Sequence, residues 1–331
     1  MAEIRPFSGV RPQDDLAAEV IAPPYDVLSE AEAREIVARR PRSFLRVTRS
    51  EVDLPEGIDA HGAAAYQKAR ENLDGFLADG TMIQDAVPRF YLYTQHWQGR
   101  TQIGLMALCD TREYKENHIK KHELTRPTKE QDRVDHITAL DAQSGLVFLT
   151  FRDQYPRVQA ALARASALPP AWTVATDDGV THTLTVLDDA DLNAELQAAF
   201  AEVDALYIAD GHHRSAAAAR VADARDEAGS SRWFLAGIFP DSQLKILAYN
   251  RAVADLNGHS PEGLLDAIGE HFDVTETDTP APTQRGQWTM YLGGVWRRLT
   301  ARAGVVSQDD PEQRLKDAIL EDRDIELLDG I

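Results

Sequence analysis

The fold of this chain is decided by one stretch, Ala205-Leu-Tyr-Ile-Ala-Asp-Gly-His-His-Arg-Ser-Ala-Ala-Ala-Ala219. An apolar run with strand character ends at Asp210 and Gly211, and an alanine-rich run with strong helix propensity follows at once. A strand, a glycine turn and a helix start, in this order, point several free backbone N–H groups at one place. Those donors and the positive end of the helix dipole favour a phosphate or another anion.

Polar side chains are concentrated at the same corner. Arg214 offers a planar, bidentate donor, and His212 and His213 add two further donors whose charge can be tuned. Gly211 lets the main chain approach a ligand closely or adopt a positive φ. The alternative is an ordinary strand–turn–helix corner with Asp210 as the N-cap of the helix. The two histidines and the arginine at the turn favour a binding site.

The composition excludes several classes of protein. The chain has 331 residues, enough for a sizeable core and two domains, and its globular composition excludes wholesale disorder. A formal net charge of −19 repels phosphate backbones and anionic lipid, so neither nucleic acid nor a membrane surface is an expected partner. The single cysteine, Cys109, excludes an intramolecular disulfide framework and lies in a run typical of the core. The sequence shows no apolar signal core and no membrane span, which predicts a cytoplasmic protein.

A second informative stretch is Ile119-Lys-Lys-His-Glu-Leu-Thr-Arg-Pro-Thr-Lys-Glu-Gln-Asp-Arg133. Its pair His122-Glu123 invites comparison with the zinc-protease motif HExxH, but Arg126 stands where the second histidine belongs, so that interpretation fails. Pro127 suits the first turn of a helix. A solvated charged face explains these ionisable residues, and a site that positions a substrate, a metal and a phosphate is the alternative. The residues concerned are Lys121, His122, Glu123, Arg126, Lys129, Asp132, Arg133 and His136.

A third stretch, Val20-Ile-Ala-Pro-Pro-Tyr-Asp-Val27, predicts a brief strand followed by a stiff turn. Ser29 then caps a helix, with Glu32 as its capping-box partner. Tyr25 and Asp26 are candidates for contact with a ligand, and a purely structural turn is the alternative.

Helices and strands alternate irregularly along the chain, which predicts a mixed α/β (α+β) protein with a largely mixed sheet. The predicted strands include a hairpin over 90–97 and 102–109, a second hairpin over 288–292 and 295–299, and single strands at 43–47, 145–151, 181–186, 232–239 and 245–251. The predicted helices cover 29–40, 60–77, 127 onward, 155–168, 191–200, the runs after Ser215 and Ser260, and 311–320. We expect one region over residues 1–256 and a smaller C-terminal α/β segment over 257–331.

Five motifs occur in an order that resembles domain-of-unknown-function family 1015 (DUF1015). They are Ala22-Pro-Pro-Tyr-Asp-Val27, Ile119-Lys-Lys-His-Glu123 with Thr125, Lys129-Glu-Gln-Asp-Arg133, Ile208-Ala-Asp-Gly-His-His-Arg214 and Tyr249-Asn-Arg251. The resemblance spans residues 4 to about 256, and members of the family usually continue past the point where this chain ends at Ile331. The family is similar to the ParB/sulfiredoxin-like superfamily, which implies a core of that kind with added α/β elements.

By this resemblance, Asp210-Gly-His-His-Arg214 looks like the superfamily's phosphate-gripping loop. Some superfamily members resemble free-serine kinases that make O-phosphoserine from ATP or ADP. Sulfiredoxins carry a catalytic cysteine at the place of His212, so sulfiredoxin chemistry is not expected. The basic helix-turn-helix that a ParB segregation protein needs is not seen in the acidic C-terminal part.

The leading hypothesis is a nucleotide-dependent phosphotransferase that acts on a small hydroxyl substrate such as L-serine, with ATP or ADP as donor and Mg²⁺ brought by the nucleotide. We expect the glycine–histidine turn after Asp210 and the stretch 119–133 to face one cleft. The expected catalytic residues are Glu123 and Asp210, the phosphate-binding residues are Gly211, His212, His213, Arg214, Ser215, Lys129 and Arg133, and the substrate-binding residues are Tyr25, Asp26 and His122. The alternatives are a non-catalytic nucleotide-binding regulator and a scaffold whose ionic clusters are salt bridges.

Overall fold

A computed structural model describes residues 2–245, 250, 252–282, 284 and 286–305. Contacts between Cα atoms divide the chain into two compact units, Met1–Leu244 and Lys245–Ile331. The predicted strand 245–251 falls largely, and the predicted helix 311–320 entirely, outside the described residues. Four of the five motifs therefore lie in the first unit, and Tyr249-Asn-Arg251 is described only at Asn250.

Strands and short helices make up the first unit. Its strands are β1 (Ile4–Arg5), β2 (Val10–Pro12), β3 (Met82–Gln84), β4 (Phe90–Trp97), β5 (Arg100–Asp110), β6 (Ile119–Lys120), β7 (Val147–Phe151), β8 (Trp172–Ala175), β9 (Thr181–Leu187), β10 (Leu206–Asp210) and β11 (Trp233–Pro240). Its helices are α1 (Ala17–Val20), α2 (Glu30–Arg39), α3 (Leu45–Thr48), α4 (Ala63–Ala78), α5 (Thr111–Lys115), α6 (Pro127–Leu140), α7 (Pro156–Ser166), α8 (Ala190–Phe200) and α9 (His212–Ala224). The described part of the second unit contains α10 (Pro261–Gly269), β12 (Phe272–Glu276), β13 (Gln287–Leu292) and β14 (Val295–Ala301).

One mixed sheet of nine strands forms the centre of the first unit. Its order is β6-β10-β7-β11-β5-β4-β9-β8, and β1 pairs with β5 beside this path. The pairs β6/β10 and β7/β11 are parallel and the others are antiparallel. The main core joins apolar sheet residues to α7 and α8, and Phe90, Phe151, Phe200 and Phe234 are fully buried in it. The predicted mixed α/β class is therefore confirmed.

The topology of this sheet assembles the candidate site. In the parallel pair β6/β10, Ile119 lies opposite Leu206 and Lys120 lies opposite Tyr207. Because the chain leaves both strands at the same edge of the sheet, the residues that follow Lys120 and Asp210 lie side by side. Strand β7 runs antiparallel to β10, so the residue before β7, Leu146, lies at that edge too. Helices α6 and α9 start there and pack against each other.

Most predicted elements are confirmed. Both predicted hairpins occur, as β4 with β5 and as β13 with β14. The capping box before α2 is present, since the Ser29 hydroxyl accepts from the Glu32 N–H at 3.3 Å and the Glu32 carboxylate accepts from the Ser29 N–H at 2.8 Å. Cys109 is fully buried in the core, and burial raises the pKa of its thiol. Among the described residues, no helix is long and apolar enough to cross a lipid bilayer.

The strand predicted at 43–47 is wrong, because this segment contains α3. Leu45 and Val47 alternate with less apolar neighbours as in a strand, but they are buried in two different clusters. Leu45 packs in a cluster with Ala33 and Val52, whereas Val47 belongs to the cluster that α4 and α6 share. The Ser43 hydroxyl accepts from the Leu45 N–H at 3.3 Å and so supports the start of the turn. The brief strand predicted at Val20 is likewise the end of α1.

Candidate functional site

The corner between β10 and α9 is built around Gly211. Its φ of +98° and ψ of 29° lie in the left-handed region, which glycine adopts without the steric penalty of a Cβ atom. Gly211 itself is the N-cap of α9, and no side chain caps this helix. Asp210 therefore does not cap the helix as the structural alternative required. Within the described residues, the His212, His213 and Arg214 N–H groups of the first turn donate to no side chain, as is usual for groups at a helix start that lack an intrahelical partner.

Arg214 lies one turn into α9 and is held from two sides. Its Nη2 donates to the Asp210 carboxylate, and its Nη1 donates to the main-chain carbonyl of Leu146. Gly145 lies beside it, since a Cβ atom there would be in ordinary van der Waals contact with the Arg214 Cδ at 3.4 Å. About a fifth of the Arg214 side chain stays exposed, at 21%. The two hydrogen bonds restrict the conformations of the guanidinium.

His212 joins the two informative stretches of the sequence. Its Nδ1 lies 3.3 Å from the Glu123 Oε2, and its Nε2 accepts from the His122 backbone N–H at 3.4 Å. The rings of His122 and His212 meet edge to face with their centroids 4.4 Å apart. The neighbouring His213 makes a similar contact, since its Nε2 accepts from the Arg126 backbone N–H at 3.0 Å. The two stretches that were expected to share a site therefore contact each other directly.

The environment keeps His212 neutral. Burial is the main cause, and the fields of His122 and His213 add to it, so the pKa of His212 falls to about 4. The side chain of Glu123 is much more open, with 43% of it exposed. In the part of the chain that the structure describes, Glu123 has no polar partner besides His212. A neutral imidazole thus lies beside a carboxylate that remains accessible to solvent.

Tyr25, from the Pro-Pro turn, lies beside the arginines. The guanidinium carbon of Arg133 lies 4.4 Å from the centroid of the Tyr25 ring, and Tyr25, Arg133 and Arg214 line one small pocket with Ser144 and Gly145. Burial raises the pKa of the Tyr25 hydroxyl, although Arg133 and Arg214 act in the opposite direction. The phenol therefore stays protonated at neutral pH and can donate to a ligand. The first, second and third stretches of the sequence analysis meet at this pocket.

Within the described part of the chain, three of the predicted site residues make no contact with the side chains of this group. The Ser215 side chain is fully buried, and its hydroxyl donates to the His212 carbonyl at 3.0 Å, so it faces its own helix and not the open corner. Lys129 is exposed on α6, and within the described ranges it has no hydrogen bond or ion pair. Asp26 is exposed in the turn that carries Tyr25.

The sequence analysis named Asp132 only as one of a row of ionisable residues, and it missed the partners that hold this pocket in place. Asp132 accepts from the Tyr66 hydroxyl at 2.6 Å, lies 2.6 Å from the His61 Nδ1, and accepts from the Arg133 Nε at 2.8 Å. These hydrogen bonds and the charge of Arg133 outweigh burial and lower the pKa of the Asp132 carboxyl. Arg49 donates to the Tyr25 carbonyl at 2.9 Å. Tyr66 and His61 lie far from Asp132 in the sequence, and Arg49 lies far from Tyr25, so no local pattern predicted these contacts.

Comparison with known proteins identifies the family. The chain belongs to DUF1015, whose description is "Protein of unknown function", and the family model matches residues 4–324. No curated protein and no solved structure matches the chain. The predicted resemblance to DUF1015 is confirmed and extends into the second unit. The likeness to the ParB/sulfiredoxin-like superfamily stays a prediction.

Proposed function

We propose that this protein is a nucleotide-dependent phosphotransferase that acts on the hydroxyl group of a small molecule such as L-serine. The proposal follows the likeness of its motifs to the superfamily that includes free-serine kinases. One observation carries it: the His212–Glu123 contact of 3.3 Å lies in the first turn of α9, which also contains Arg214. An accessible carboxylate, which suits a general base, thus adjoins groups that suit a phosphate.

The corner fits a phosphate group on steric and chemical grounds. A Cβ atom at position 211 would lie 3.2 Å from the Arg214 Nε, a tight contact that would make the guanidinium shift by a few tenths of an ångström. The first N–H groups of α9 and Arg214 would bind the phosphates, and Lys129 and Arg133 would neutralise further charge. When bound, the nucleotide supplies the phosphoryl group and its Mg²⁺ neutralises the developing charge.

Glu123 is the proposed general base. The substrate's hydroxyl oxygen forms a bond to phosphorus while the bond from phosphorus to the leaving phosphate oxygen breaks, and the hydroxyl proton passes to the Glu123 carboxylate. The His212 Nδ1 lies 3.3 Å from the Glu123 Oε2, and the His212 Nε2 accepts from the His122 N–H next to Glu123, so this ring would help to position the carboxylate. Tyr25 and Asp26 would bind the amino-acid end of the substrate. Asp210 is the second candidate base, although its pairing with Arg214 makes it less available.

The proposal is tested by incubating the purified protein with radiolabelled ATP or ADP, Mg²⁺ and a panel of amino acids. We expect a labelled phosphate ester with L-serine or another hydroxyl amino acid and none with L-alanine, which lacks the hydroxyl. Nucleotide binding by calorimetry without transfer to any amino acid would favour the non-catalytic nucleotide-binding regulator. Absence of both binding and transfer would contradict the two hypotheses together.

A further inference from the structure

Residues 121–126, which we call the Glu123 loop, are attached to α9 by two hydrogen bonds that run from main-chain N–H groups of the loop to histidine side chains of the helix. The His122 N–H donates to the His212 Nε2 at 3.4 Å, and the Arg126 N–H donates to the His213 Nε2 at 3.0 Å. Two neighbouring imidazoles thus accept amide hydrogens from two points of one loop.

These contacts fix the protonation of both rings. An imidazole nitrogen accepts a hydrogen bond only while it carries no proton, so each Nε2 must be unprotonated. A neutral ring then carries its proton on Nδ1, and in His212 that nitrogen lies 3.3 Å from the Glu123 Oε2. A histidine whose Nε2 lone pair is used by the protein's own amide is poorly suited to act as a cationic donor to phosphate.

We propose that His212 and His213 are positioning residues that clasp the Glu123 loop against α9 and aim the Glu123 carboxylate, and that they do not bind phosphate through their side chains. The pair is called the histidine clasp. The proposal rests on the proposed function only for what Glu123 does, because the clasp itself is a statement about structure.

The remainder of the loop shows why a clasp is needed. Its two ends are fixed elsewhere, since the Lys121 Nζ donates to the Tyr114 carbonyl at 3.0 Å and the Thr125 hydroxyl donates to Glu130 at 2.8 Å. Between these ends, Leu124 is 93% exposed and contributes little packing. The middle of the loop therefore depends on polar contacts with α9 for its position.

The groups around His212 determine whether its ring is neutral, as the clasp requires. The groups that face His212 are Glu123 and His122 from the loop and Asp210 and His213 from its own corner. Burial lowers the pKa of His212 to about 4, which favours the neutral form that the clasp requires. Replacing either acceptor by a donor would set two N–H groups against each other and release the amide.

Two substitutions of His213 separate the clasp from a phosphate-binding role. His213→Gln keeps an acceptor for the Arg126 N–H, whereas His213→Lys keeps a positively charged donor and loses the acceptor. Loss of one hydrogen bond shifts a local opening equilibrium by about tenfold. Using hydrogen–deuterium exchange mass spectrometry of the full chain, we expect about tenfold faster exchange over residues 121–127 in the lysine variant. The glutamine variant should stay within about twofold of wild type. Wild-type exchange in the lysine variant would overturn the clasp, and so would equally fast exchange in both variants.

The protonation of the two rings can also be measured on the wild-type protein, so this second test does not depend on the folding of a variant. Long-range ¹H–¹⁵N correlation spectra report which ring nitrogen of each histidine carries the proton. The clasp requires a protonated Nδ1 and a bare Nε2 in His212 and His213 at neutral pH, and a protonated Nε2 in either residue would overturn it.

Failure of the clasp and failure of the proposed function give different results. If exchange is fast in His213→Lys and the wild type binds no nucleotide, the clasp is supported and the phosphotransferase proposal is contradicted. If the wild type transfers phosphate and exchange is unchanged in His213→Lys, the phosphotransferase proposal is supported and the clasp is contradicted.

Discussion

A Cβ atom on Gly211 would lie 3.2 Å from the Nε of Arg214. The missing side chain at 211 lets the guanidinium lie over the start of its own helix, where it donates to Asp210 and to the Leu146 carbonyl. The same residue has a φ of +98°, which an L side chain rarely adopts. One glycine thus serves both the turn of the main chain and the placement of the arginine.

We expect Gly211→Ala to lower the free energy of unfolding by roughly 1–3 kcal/mol and to displace Arg214. Gly80→Ala is the matched control, because its φ is +78° and its Cβ would meet no atom within 4 Å. Both variants bear backbone strain, but only the first disturbs the arginine. Denaturant unfolding and nucleotide titration should therefore show loss of stability in both and loss of affinity in Gly211→Ala alone. Equal affinity loss in both would separate the arginine from binding.

Arg214→Ala should weaken nucleotide binding roughly ten- to a hundredfold, because a charge-assisted contact is worth about 1.5–3 kcal/mol. The control is Arg39→Ala, which removes another i, i+4 ion pair, to Glu35, from an exposed helix face. Isothermal calorimetry measures both affinities and circular dichroism checks the fold. Wild-type affinity in Arg214→Ala would exclude the corner as the nucleotide site.

The sequence predicted the corner correctly where the signal was local. The strand, the glycine turn and the helix all follow from residues 205–219, and the structure has them as β10, Gly211 and α9. It also predicted that the Glu123 stretch would join this corner, from the excess of ionisable groups in both. The parallel pairing of β6 with β10 is the physical cause of that meeting, and it depends on register across the sheet.

Side-chain direction was beyond the reach of the sequence. Ser215 had the residue type of a phosphate ligand, but the first turn of α9 directs its hydroxyl to the His212 carbonyl. The histidines had the type of donors, and tertiary contacts make them acceptors. The hydrogen bond from Tyr66 to Asp132 needs α4 and α6 to pack, which no motif at either residue records.

Stability should depend on pH through His136. This buried ring has its pKa lowered from 6.5 to about 4, mainly by burial and secondarily by Arg133. The unfolded chain therefore binds more protons between these values, so the contribution is complete above pH 6.5 and lost as pH falls toward 4. His136→Gln should flatten the pH dependence of unfolding in that window by roughly 1–3 kcal/mol, as measured by urea denaturation. A wild-type slope in the variant would contradict this assignment, whatever the variant's stability at neutral pH.

Glu123→Gln should abolish transfer more than it affects binding. A general base contributes roughly 10²- to 10⁴-fold to rate, and a carboxylate next to bound phosphates should not aid their ground-state binding. The amide keeps the shape of the side chain, and the hydrogen bonds from the His122 and Arg126 N–H groups to α9 do not involve it, so the loop should stay in place.

Glu56→Gln is the control for the change in charge, because this residue is exposed outside the site. We expect a wild-type melting temperature and nucleotide affinity in both variants, and a rate of phosphotransfer reduced by roughly 10²- to 10⁴-fold in Glu123→Gln alone. A fall in melting temperature without loss of rate would mean that Glu123 contributes to stability and not to transfer. If transfer to every accepted amino acid is unchanged, Asp210 becomes the candidate base. Asp132 is a weaker candidate in that case, because Tyr66 and Arg133 already donate to its carboxylate.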